Sequence, residues 1–472
     1  MSSQFVPNPA KAADAGVPNR AAIRNNPTLG AAQAVALAAR NIGEALDSAG
    51  VNPTGDASTN AEMKQHFQAS PLAGPADARL VWLPLGEDTM RLCWEVVLSS
   101  RARGEMFRFL VDVETGEVLI RHCLTEYISD ATYRVFLSDS PSPFSPSCPT
   151  PCNTHPPVNP AVLVTLSALD TNASPNGWID DGINETRGNN VDAHTDRDAN
   201  NSPDLPRPQG SPFRTFDFTI NLSQEPSTYT NGAVTDLFYW CNWIHDRLYA
   251  LGFTEEAGNF QNNNFGRGGL GNDALQADAQ DGSGFNNANM STPTDGSAPR
   301  MQMYLFDGPT PDRDGDFDHE IVIHEYVHGL SNRRVGGGVG LTALQSRGMG
   351  EGWSDWYGLT MLSEPGDNVN GVYAVGGYAT YLLSGLTTNY YFGIRRYPYS
   401  TDMTKNPLTS KDIDPGQAST HAGIPRSPIA GTTADGVHNQ GEVWCVTLWD
   451  ARQFDCQAWL RGGQPVDSPV GD

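Results

Sequence analysis

Between residues 79 and 124 the apolar positions fall in short runs separated by polar turns: RLVWLPL (79–85), MRLCWEVVLSS (90–100) and MFRFLVDVETGEVLIRHCL (106–124). Runs of this length and composition predict strands, and the Thr-Gly inside the last predicts a hairpin. Ahead of them AAQAVALAARNIGEALDSAG (31–50) has Ala-rich helical spacing closed by a glycine. Residues 31–124 are therefore expected to form a small α+β domain, preceded by a polar, Pro/Asn-rich lead (1–30) expected to be disordered. Residues 125–160 are expected to be a linker, with Ser, Pro and Cys crowding 138–160. Residues 161–320 are dense in Asn, Asp and Gly, which predicts short strands joined by tight turns, interrupted by one helix at VTDLFYWCNWIHDRLYALG (234–252). From about 318 onward helical periodicity takes over, giving a helical segment 321–452. The pattern fades after LWDAR (448–452), so 453–472 reads as an atypical tail and the helical lobe as shortened. The chain shows no internal repeat and no heptad run.

The 472 residues are enough for two or three domains. With 38% hydrophobic residues, 48 Gly and 34 Pro, the composition is that of a loop-rich globular protein. The formal charge of −24 excludes nucleic acid and anionic membranes as expected partners, because such a surface repels both. No apolar run reaches the length of about 20 residues that spans a bilayer, and the first residues lack the apolar core of a secretory signal. Cys93, Cys123, Cys148, Cys152, Cys241, Cys445 and Cys456 make an odd set of seven, which leaves at least one unpaired in a monomer. The close pair in CPTPC (148–152) is assigned neither a disulfide nor a metal.

The chemistry concentrates in IVIHEYVHGLSNR (321–333). On a helix His324 and His328, four apart, project from one face and suit one metal ion. Glu325 lies about 100° around the helix from His324, beside such an ion and within reach of a water on it. Two solvated histidines on a helix face are the alternative. A catalytic zinc needs a third protein ligand and an open position. MGEGWSDWYGLTM (349–361) offers Glu351 for the former. Asp355, again four residues on, would take the other ring N–H of a ligand histidine. An acidic first helical turn is the competing reading there. Together the two spacings point to zinc.

HEYVHGLSNR followed by GMGEGWSDW resembles the fungalysin family of secreted zinc metallopeptidases, relatives of thermolysin. SPNGWIDDG (174–182), TRGNNVDAH (186–194), the 237–261 and 281–306 stretches, GIRRYPYSTDMTKNPLT (393–409) and HNQGEVW (438–444) resemble family segments in family order. The resemblance implies an α+β chain: a propeptide domain, then a two-lobed thermolysin-like catalytic domain with a β-rich first lobe and a mainly helical second. It implies one zinc ion on His324, His328 and Glu351, Glu325 as general base and then acid, and Asp355 behind a ligand histidine. It places His438 where a histidine stabilises the oxyanion; a buried structural histidine beside Trp444 is the alternative, and Asp435 is a weak candidate to orient it. NNAN (286–289) resembles the edge strand that binds substrate backbone, with Asn287 and Ala288 as candidates and a turn-rich loop as the alternative.

The resemblance also implies protein or peptide substrates, the propeptide as intramolecular inhibitor with processing near 124–135, a monomer, and an extracellular location. Arg395 and Arg396 are expected to pair with surface acids rather than bind a substrate carbonyl. DRDGDFD (312–318) is expected to be a solvated acidic loop, with a calcium loop as the alternative. His245 is expected to be structural. The expected function is a zinc-dependent metalloendopeptidase made as a zymogen; an aminopeptidase, or a catalytically impaired fragment or binding protein keeping the zinc site, are the competing readings.

Overall fold

The computed structural model describes residues 6–125, 131–180, 182–368, 370–416 and 421–460. The chain divides into two compact units, Met1–Tyr127 and Ile128–Asp472, and its architecture is α+β.

The first unit begins with helices α1 (Pro9–Gly16), α2 (Arg20–Asn25) and α3 (Ala31–Asn41). The first two lie in the lead expected to be disordered. Their cause is local: Pro9 opens α1 in its first turn, the Asn8 side chain accepts from the Lys11 N–H, and Ala12 and Ala13 are buried. Strands β1 (Asn52–Pro53), β2 (Gln65–Gln68), β3 (Ala76–Pro84), β4 (Met90–Ser99), β5 (Met106–Asp112) and β6 (Val118–Cys123) form one sheet in chain order, each pair antiparallel. Ala34, Val35, Ala38 and Ala39 of α3 join Leu80, Trp94, Val96 and Phe109 of the sheet in a single core. The β5–β6 hairpin turns at Gly116, whose φ of +73° suits glycine.

The second unit begins inside the expected linker. Strand β7 (Ala131–Val135) points Ala131, Tyr133 and Val135 inward and sits at the centre of a three-stranded sheet, flanked by β8 (Val162–Leu166) and, past β9 (Val191–Thr195) in the chain, β10 (Thr215–Phe216). Tyr133 stacks on Phe216, with ring centroids 5.5 Å apart. The alternation of A-T-Y-R-V is that of a half-buried strand, masked in the sequence by the Ser/Pro-rich stretch that follows. In that stretch Cys148 and Cys152 form a disulfide, a pairing not expected from the sequence; the two prolines between them confine the backbone to a tight turn. Residues 126–130, in the middle of the expected processing region, lie outside the described residues.

Helix α4 (Thr230–Ala250) follows, then β11 (Leu275–Ala279), β12 (Ala288–Ser291), β13 (Arg300–Met303), and the short pair β14 (Leu305–Phe306) and β15 (Arg313–Asp314). The four-stranded sheet runs β12-β13-β11-β9, with β12 at its edge and antiparallel to β13. Val234, Leu237, Phe238, Cys241 and Ile244 of α4 share a core with β9, β11 and β13 and with Val322, Ile323, Tyr326 and Val327 of α5 (His319–Arg334). That core fixes the helix bearing the histidine pair against the sheet.

The helical half continues with α6 (Leu344–Met361), the short α7 (Asn389–Phe392) and α8 (Val437–Leu460). The tail expected at 453 therefore starts within a continuing helix; residues 461–472 lie outside the described residues. Helices α6 and α8 approach through glycines. A Cβ at Gly352 would lie 2.5 Å from the Gly441 carbonyl, and one at Gly441 2.4 Å from Glu351 Cβ. Only glycine permits this contact, and it brings the start of α8 against the Glu351 turn of α6. No described helix is long and apolar enough to cross a membrane.

Candidate metal centre and catalytic cleft

Helix α5 is started by Asp318. Its carboxylate accepts from the Ile321 N–H and, through Oδ2, from the Ala379 N–H at 2.9 Å. One face of α5 enters the core; His324, Glu325 and His328 line an open cleft. The Nε2 atoms of His324 and His328 lie 3.0 Å apart. Glu351 from α6 places Oε2 3.4 Å from His324 Nε2 and Oε1 3.7 Å from His328 Nε2. One ligand atom from each of the three residues lies within 4.8 Å of the others.

Asp355 fixes this group from behind. Its Oδ1 stands 2.8 Å from His324 Nδ1, which aims Nε2 at the centre. Asp355 is in turn held by two bonds from Arg395, at 2.6 and 2.7 Å, and by the Tyr399 hydroxyl. Burial opposes its ionisation, but the Arg395 guanidinium and His324 outweigh it and hold the carboxyl well below the usual range. Burial likewise opposes a proton on His324, yet the bond to Asp355 and the nearby Glu351 carboxylate raise the ring to about 10. Burial and the neighbouring His324 charge push His328 down to about 3. The pocket thus attracts one positive charge and leaves a second imidazole neutral, the form that ligates metal.

The donor set fits zinc. Two imidazoles and a carboxylate converge, Glu351 Oε2 is buried without a hydrogen-bond partner, and the cleft side stays open, as in catalytic zinc sites. Glu325 is buried beside the pair and its carboxylate accepts no hydrogen bond from the described residues. Burial raises it to about 7, a value suited to exchanging a proton near neutrality.

The cleft encloses about 720 Å³. His438, on the first turn of α8, reaches into it with Nε2 3.5 Å from Glu351 Oε2, and its side chain is 62% exposed; the buried structural role does not apply. Asp435 is exposed and makes no bond to His438 among the described residues. Asn287 is exposed and Ala288 starts β12, both on the cleft wall, with β12 paired on one side only. Among the described residues no strand pairs with its other edge, the geometry that accepts an added strand.

Two expectations change. Arg395 and Arg396 do pair with acids, but with buried ones: Arg395 with Asp355 and Arg396 with Glu442. The 312–318 loop is not solvated. Asp314, Asp316 and Asp318 are buried, with Asp314 and Asp316 accepting from Gln280 and Asp318 capping α5. N–H groups satisfy Asp314, Asp318 and one oxygen of Asp316, whose Oδ1 is buried without a hydrogen-bond partner, and the three are not among the metal-competent groups of the described residues. His245 is buried against Asp246 and Asn259, as a structural histidine. Sequence reasoning missed Tyr399 and gave Arg395 no place at the centre, because nothing in local spacing connects positions about forty residues downstream of Asp355 to it.

Two histidines and a glutamate within ligand distance of one another, with a second glutamate beside them on an α+β scaffold, make a donor set of the kind that holds a zinc ion. The sequence profile of the fungalysin metallopeptidase family matches residues 150–454, and the chain belongs to that family. It is 37% identical over 399 residues to "Extracellular metalloproteinase mep" of Aspergillus niger, covering 82% of this chain and 56% of that protein. It is 40% identical over 347 residues to "Extracellular metalloproteinase" of Pyrenophora tritici-repentis, covering 72% and 49%. The Aspergillus fumigatus "Extracellular metalloproteinase mep" is 35% identical over 430 residues, covering 87% and 61%. The chain thus spans about half to three fifths of the length of these relatives.

Proposed function

We propose that this chain is a zinc-dependent endopeptidase that acts on proteins and peptides outside the cell and is made as a zymogen restrained by residues 31–124. The convergence of His324, His328 and Glu351 beside an unengaged Glu325 carries this reading. The three would hold the ion, which when bound supplies Lewis acidity toward water and a peptide carbonyl. The free edge of β12, at Asn287 and Ala288, takes the substrate backbone as an added strand, so recognition rests on main chain. Glu325 takes a proton from the attacking water and returns it to the leaving nitrogen. His438 donates its Nε2–H to the oxygen that gains charge as the carbonyl carbon becomes tetrahedral. Asp355, steadied by Arg395, keeps His324 in one tautomer and orientation. The relatives' names support the extracellular location, and the monomer is part of the same proposal.

The test is casein digestion with mass-spectrometric mapping of products, with and without a chelator. Internal cleavages that stop on chelation and resume with zinc support the reading. Release of single terminal residues, or no metal dependence, contradicts it.

A further inference from the structure

Helices α5 and α6 run antiparallel, and their facing residues form a ladder. Glu320 lies beside Gly358, His324 bonds Asp355, His328 faces Glu351, and Ser331 lies beside Gly350. Asn332, four residues past His328 on α5, and Arg347, four residues before Glu351 on α6, both line the cleft. Ile321, Phe306 and Ile394 are also in its wall. Along α5 the cleft wall passes from Ile321, before the histidine pair, to Asn332, after it.

The other charged groups in the cleft wall are committed. Glu351 faces the two histidines, Arg395 holds Asp355, Glu442 holds Arg396, and Glu325 stands ready for chemistry. Arg347 is different. It is exposed, and its guanidinium makes no ion pair or hydrogen bond with any described residue. The Asn332 amide is likewise without a partner among the described residues. In a chain of formal charge −24, a guanidinium without a partner among the described residues in a cleft wall is a local exception. A guanidinium presents a planar fork of donors matched to a carboxylate.

We infer that Arg347 is a specificity-determining residue of the proposed peptidase, selecting an acidic side chain of the substrate on the Asn332 side of the scissile bond. The inference rests on the peptidase reading. Attraction of a carboxylate and repulsion of an ammonium at a partly exposed site each contribute modestly, so the combined Glu-over-Lys preference is about tenfold.

The experiment uses internally quenched peptides with both ends blocked, identical except for Glu, Gln or Lys at each of the three positions flanking the cleaved bond on either side. The full chain, zinc-loaded, is assayed as purified and after limited proteolysis within 124–135. The ratio of kcat/KM for Glu and Lys peptides is read within each variant, so differences in total activity cancel. The expected result is about a tenfold Glu preference at one position on one side only, kept in R347K, lost in R347A and reversed in R347E. Cleavage with the same Glu-to-Lys ratio in wild type and R347E overturns the role of Arg347 while leaving the peptidase reading intact. Cleavage of no peptide by wild type overturns both.

Discussion

Replacing Asp355 by Asn probes the frame that aims the metal ligands. Asp355 is fully buried and carries four contacts: His324 Nδ1 at 2.8 Å, Arg395 at 2.6 and 2.7 Å, and the Tyr399 hydroxyl. Asn keeps the shape and one acceptor but removes the charge and turns one oxygen into a donor facing Arg395. Arg395 is 5% exposed, so its charge loses its main partner where water cannot replace it. Breaking one side of a buried ion pair costs about 3–5 kcal/mol; the acceptor that remains and the nearby Glu351, 3.7 Å from Arg395, bring the expected loss to about 2–4 kcal/mol. At the same time His324 loses the carboxylate that orients it, which weakens metal binding by about 10–100-fold. The assay pairs urea unfolding of the chelator-treated protein with zinc competition against a fluorescent chelator. If stability and zinc affinity both stay within twofold of wild type, the claim that Asp355 organises this centre is refuted.

Other outcomes follow from the same geometry. Zinc should raise the thermal midpoint of the wild-type chain and a chelator should lower it, whereas H328A, lacking one donor, should respond weakly to either; differential scanning calorimetry of the two proteins decides this. Burial pushes Asp139 up to about 7 and Asp318 up to about 6, against about 3.9 for an unfolded Asp. Between about pH 4 and 7 the folded chain then holds protons that the unfolded chain has released, so this contribution to stability is full below pH 4 and is lost as pH rises. Urea unfolding of wild type and D139N across that range checks the sign: the variant should show the flatter fall, and parallel curves contradict the assignment.

How far the sequence reached depends on how local each feature's cause is. The hairpin at 106–124, α3 and α4 were legible because period and turn chemistry act over a few residues. The His324, Glu325, His328 group was legible for the same reason, since one helix fixes all three. Glu351 and Asp355 needed only a second helix with the same four-residue spacing. What escaped was decided at long range. Arg395 and Tyr399 reach Asp355 across forty and more residues, and their composition looks like any surface arginine and core tyrosine. Asp314, Asp316 and Asp318 looked solvated because alternate acids usually are; here Gln280 and the first turn of α5 supply the N–H groups that let them be buried. The helices of the lead were hidden by its polarity although the Asn8-Pro9 start signal was present, and β7 was hidden by the proline-rich stretch behind it.

The proposed peptidase chemistry rests on Glu325 transferring a proton beside a zinc held by His324, His328 and Glu351. The measurement that tests it most directly is hydrolysis of an internally quenched peptide by wild type and E325Q, each first shown by elemental analysis to carry one zinc. E325Q is expected to keep its zinc and its fold and to lose at least about 100-fold in kcat, the scale of a general base. Equal turnover by the two zinc-loaded proteins would contradict it.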